Sequence, residues 1–84
     1  MIPTSTLAAC GLLYSLIATG SSNPPEIRQA AEARVDQLIA IANRNNRLEE
    51  VTQGVTILSN QLVRQPGNLP AFIDLAAPIC AEVQ

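Results

Sequence analysis

The chain has 84 residues, enough for one helical domain spanning residues 1–84, and a domain of that size buries only about 60–65% of the surface its unfolded form exposes. Apolar residues make up 48% of it but aromatic ones only 2%, a single Phe72 and a single Tyr14, so core positions are many and the bulk at each is small. The net charge of -2, with every base an Arg and no Lys or His, supplies no electrostatic footprint for nucleic acid or anionic lipid, and it removes the commonest general base and metal-binding nitrogen.

The first apolar run, LAACGLLYSLIA at residues 7–18, has the length of a signal-peptide core, but no positive residue precedes it and the first base is Arg28. A spanning helix needs about 20 apolar residues, so no membrane span is expected. Leu7-Ala8-Ala9-Cys10-Gly11 is similar to a bacterial lipobox, yet only nine residues precede Cys10. The segment therefore reads as a core helix over about residues 6–19. Leu7, Cys10, Leu13 and Ile17 stand three or four apart, and Leu12, Leu16 and Ala18 widen the apolar surface to make this the most buried helix. Thr4 or Ser5 can cap its start, and Gly20 suits the left-handed position beyond its end.

A second helix begins after the break at residues 20–25, with Asn23 as its expected cap, Pro24 at the first helical position and Glu26 in the first turn. Ile27, Ala31, Val35, Leu38 and Ala42 mark one face. Arg28, Glu32 and Asp36 mark another, which reads as a solvated, ion-paired stripe. After the break at residues 43–46, Asn46 and Glu49 form an Asx version of the capping box, which starts a third helix. That helix carries the clearest pattern of the chain: Leu48, Val51, Val55, Leu58 and Leu62, spaced 3, 4, 3 and 4 as in a heptad seam. Gly54 beside the seam costs about 1 kcal/mol against Ala; either it lets another helix approach closely or it is simply tolerated. The fourth helix, from about Leu69 beyond the break at residues 65–68, aligns Phe72, Leu75 or Ala76, Ile79 and Val83. Pro78 is expected to end or kink it, leaving residues 79–84 as a second short turn or a frayed tail.

No segment alternates as a strand does, so the fold class is all-α, a small four-helix bundle with short connecting loops. The inventory for chemistry is thin. Glu32 and Asp36 share a face with Arg28, which favours a surface network over a proton-sharing pair. Glu49 and Glu50 belong in a first turn for dipole reasons. Two Cys 70 positions apart without a His make no zinc site, and a Cys nucleophile lacks its usual base, so no enzyme, metal or cofactor is expected. Cys10 and Cys80 each sit among apolar neighbours, as buried thiols or as a possible disulfide. In an up-down-up-down bundle the first and last helices are neighbours, which brings the two sulfurs close within one subunit. They would be bonded in an oxidising compartment and reduced in the cytoplasm, where a chain without a signal peptide is placed.

The layout, with a Cys near each end and Ala77-Pro78-Ile79-Cys80 as the closing segment, resembles that of the secretoglobins. The resemblance implies helical chains that pair through interchain disulfides around a cavity for apolar ligands. From the residues themselves the leading expectation is an interaction module that forms a homodimer, or docks on another protein, through Leu48, Val51, Val55, Leu58 and Leu62, with the seam facing only the core of its own chain as an equal alternative. The alternative is an apolar-ligand carrier with a cavity lined by Leu13, Ile17, Val35, Leu38 and Phe72, since small side chains leave voids more readily than rings do.

Overall fold

The computed structural model describes residues 2–83, and it consists of α1 (Thr4–Thr19), α2 (Pro25–Arg44), α3 (Leu48–Arg64), a 3-10 turn at Pro66–Asn68 and α4 (Leu69–Ala81). The described residues contain no strand, and the three breaks fall where Gly, Pro and Asn cluster. Gln84, the last residue of the expected tail, lies outside the described residues.

Helix α1 is the hub. Leu7, Ala8, Cys10, Leu12 and Leu13 are all buried, and residues so closely spaced point in several directions around a helix of 3.6 residues per turn. No single neighbour could cover them, so α2, α3 and α4 each pack on α1, while α2 and α3 touch over a smaller area. The absence of a polar stripe on α1, legible in the sequence, is the cause of this arrangement. Helices α1 and α3 run in the same sense: Arg47, just before α3, reaches Thr4, and Gly54 and Val55 further on lie against Ala8 and Gly11.

The ends of the helices correct several expectations. Neither Thr4 nor Ser5 caps α1; Pro3 stands at the cap, and its carbonyl accepts from the backbone N–H groups of Thr6 and Leu7 at 3.1 Å. Gly20 has φ -70 rather than a left-handed angle. What favours glycine there is Asn23, whose Nδ2 donates to the Ile17 carbonyl at 3.0 Å and, 2.7 Å from the place a Cβ on Gly20 would occupy, would have to shift for a larger residue. Asn23 therefore closes α1 and does not open α2. The cap of α2 is Pro24, and Pro25 is its first residue.

Asn46 likewise ends a helix where it was expected to start one. Its φ of 55 is left-handed, with the Arg47 N–H donating to the Ala42 carbonyl at 2.8 Å and the Asn46 N–H to the Asn43 carbonyl at 3.2 Å. That pair of bonds is a Schellman motif with Asn in the glycine position. Arg47 takes the cap of α3 without a side-chain bond.

At the other end of the chain, Pro78 does not stop α4, which continues to Ala81. The ring removes one hydrogen bond near the helix end, and the attachments of Cys80 described below hold the remaining turn in place.

Candidate interaction surface

The seam of α3 is turned toward the rest of its own chain. Val51 is buried, and Val55 and Leu58 pack against the core. Val55 lies close to Gly11 of α1, and Leu62 shares a recess with Leu12 and Leu16. Leu48, at the start of the seam, is 38% exposed beside Ile39 of α2. Close packing of α3 on α1 depends on small residues: a Cβ on Gly54 would stand 2.8 Å from the Ala8 Cβ, nearer than such carbons approach. Of the two readings of Gly54, the structure therefore favours the one in which it admits a neighbouring helix.

With its seam committed to α1, helix α3 leaves its flank uncovered. Between α3 and α4 lies a groove of about 400 Å³, larger than the recess of about 170 Å³ between α2 and α3. Its floor is Ala8 and Ala9 of α1, and its walls carry Ile57 and Leu58 on one side and Phe72, Leu75 and Ile79 on the other. Ser5 is its single polar side chain, and no charged residue lines it. Ile57 is 58% exposed, Leu75 71% and Ile79 53%. The sequence left Leu75 and Ala76 as alternatives for the core position, and the structure buries Ala76 and turns Leu75 outward.

The five residues expected to line one cavity are dispersed. Leu13 is in the core, Ile17 lies beside Ala31 and Arg34, Val35 and Leu38 face α3, and Phe72 alone reaches the groove. Of the expected polar stripe on α2, Glu32 and Asp36 are exposed, whereas Arg28 is half-buried and its Nε has no hydrogen-bond partner.

Two attachments fix α4 at its far end. Cys10 and Cys80 form a disulfide with Cα atoms 5.4 Å apart, both residues fully buried. The bond lies within one chain, so neither the free-thiol alternative nor the interchain pairing implied by the secretoglobin resemblance describes this molecule. Cys10, engaged in the middle of α1, is not a lipobox cysteine in this state. The second attachment is Arg34 of α2, to which the sequence assigned no role. Its Nη2 donates to the carbonyls of Cys80 at 2.8 Å and Val83 at 2.9 Å, with the Tyr14 hydroxyl more distant at 3.3 Å. The guanidinium gives the Val83 carbonyl a donor, adds a charged one to the Cys80 carbonyl, which also accepts from the Val83 N–H at 3.2 Å, and complements the negative end of the helix dipole. It also lies 5.2 Å from the centre of the Tyr14 ring, within cation–π range. A third Arg, Arg47, ties the starts of α1 and α3 together by donating from Nη1 to the Ile2 carbonyl at 2.6 Å and to Thr4 Oγ1 at 3.2 Å. No arginine stripe in the sequence signals these roles, because each reaches a carbonyl far away along the chain.

Among the described residues no group of three or more His, Cys, Asp or Glu is placed to hold a metal ion, and no helix is long and apolar enough to cross a membrane. No family model matches the chain, and no curated protein or solved structure matches it either.

Proposed function

We propose that this is a non-enzymatic protein–protein interaction module whose working surface is the groove between α3 and α4. The observation that carries this reading is the clustering of Ile57, Leu75 and Ile79, each more than half exposed, around one uncharged groove of an 8.9 kDa protein. A large uncovered apolar patch on a small protein marks a place where something docks. The α3 seam serves this surface indirectly: by burying Val51 against α1 it fixes the helix with its flank outward. The partner must offer apolar side chains, since nothing in the groove pairs with a charge.

A bond between Cys10 and Cys80 would persist in an oxidising compartment and be reduced in the cytoplasm, so the redox state of the protein from its own host distinguishes the two placements. A second reading, an apolar-ligand carrier, is favoured by the groove volume of about 400 Å³, which falls in the range of small-molecule sites. Native mass spectrometry of the protein from its own host separates the two, because a carrier retains an added mass.

The neutral dye Nile red tests the surface itself. At submicromolar concentration the disulfide-bonded protein should enhance its fluorescence. The Ile57→Ser/Leu75→Ser variant should abolish the enhancement, and Ile27→Ser/Ile39→Ser on α2 should keep it. The opposite ranking would move the working surface to α2 and end this reading.

A further inference from the structure

We infer that the occupant of the groove is a second copy of this chain, joined about a two-fold axis through the α3–α4 face. This inference rests on the groove being the working surface, and it adds the identity of the partner.

Surface area is the first argument. The chain leaves 5557 Å² accessible to solvent, whereas a folded monomer of 8.9 kDa is expected to leave roughly 4,800 Å². The excess, about 750 Å², is close to the approximately 800 Å² that one partner contributes to an interface of standard size. The chain thus exposes about one interface more than a solitary domain of its mass.

Shape and charge add to this. Projecting side chains and the recess that could receive them lie on the same face: Leu75 and Ile79 stand on the wall of the groove floored by Ala8 and Ala9. A two-fold interface requires such self-complementarity, since each copy must present both knob and hole. Each copy carries a formal charge of -2, but no charged side chain lines the groove, so the contact itself brings no like charges together.

Sedimentation equilibrium of the disulfide-bonded protein, from low micromolar to submillimolar concentration, tests the inference. The expected result is a reversible monomer–dimer equilibrium in which Leu75→Arg weakens association by about tenfold or more, as loss of a central interface anchor does. Ile39→Arg, the same change of charge on α2, should leave it unaltered. Both sites are about half exposed or more, so both variants should keep the helical spectrum of the wild type. Should Leu75→Arg fail to fold, Ile57→Arg replaces it with the same expected outcome. A monomer over the whole range, with Nile red binding intact, would overturn the second copy as occupant while leaving the groove as the working surface. A dimer that survives Leu75→Arg and Ile57→Arg would overturn the choice of face. A protein that neither associates nor binds the dye would overturn both readings.

Discussion

At Gly54 the absence of one methyl group sets the distance between two helices. A new Cβ there would stand 2.8 Å from that of Ala8, and neither atom belongs to a side chain that can swing away. Gly54→Ala should therefore destabilise the protein by about 1–2 kcal/mol, even though Ala is favoured over Gly in a helix by about 1 kcal/mol. Exchanging the pair, Ala8→Gly with Gly54→Ala, keeps one methyl in the contact and should recover most of the loss. Denaturant unfolding of the three variants measures the coupling, and additive effects would mean that the two residues do not meet. Arg34→Met should cost about 2 kcal/mol by leaving the Cys80 and Val83 carbonyls without their charged donor. Arg34→Lys should recover less than half, since a flexible ammonium does not reproduce the planar fork. Single residues were the least legible part of the sequence. Asn23 and Asn46 both belong to the small set that can cap either end of a helix, and which end they serve depends on the turn around them. In the structure Asn23 reaches back to the Ile17 carbonyl, and Asn46 takes the left-handed position that the pattern alone would give to a glycine.

Among the elements, α4 is the one held least by packing and most by specific attachment. It packs on α1 and on the turn before it, and its last turn is secured by the disulfide and by Arg34. A cross-link over a separation of 70 residues is worth about 4 kcal/mol in the chain-entropy model. The Cys10→Ala/Cys80→Ala variant should lose a large part of that. Amide exchange should quicken first in α4, ahead of α2, and uniform quickening would contradict the special attachment of α4. In α3, Val55→Asp should lower the melting temperature markedly, because Val55 packs against the core beside Gly11 and a carboxylate there has no partner. The existence and order of all four helices were legible from the 3- and 4-residue spacing of Leu and Val and from the three Gly, Pro and Asn clusters between them. What the spacing could not show is which apolar side of each helix stays uncovered. On α3 the strongest stripe turned inward, and Ile57 beside it became the exposed residue. On α4 the small Ala76 is buried and the larger Leu75 faces outward. Those outcomes depend on how α3 and α4 share the surface of α1, and no stripe within a single helix records that.

For the whole molecule, the pattern on α1 dictates both the stability and the exposed surface. A helix apolar on every side draws three others around it, and three helices of modest bulk do not cover one another as well as they cover the hub. The groove between α3 and α4 is the consequence, and its pairing with a second copy would complete a core that one chain leaves open. Hydroxyl-radical footprinting at concentrations below and above the association midpoint reads this most directly, side chain by side chain. Ile57, Leu75 and Ile79 should become protected together as the concentration rises, while Ile27 and Ile39 on α2 remain as reactive as before. Unchanged reactivity of the three, or protection centred on Ile39 and Leu48 instead, would contradict the account.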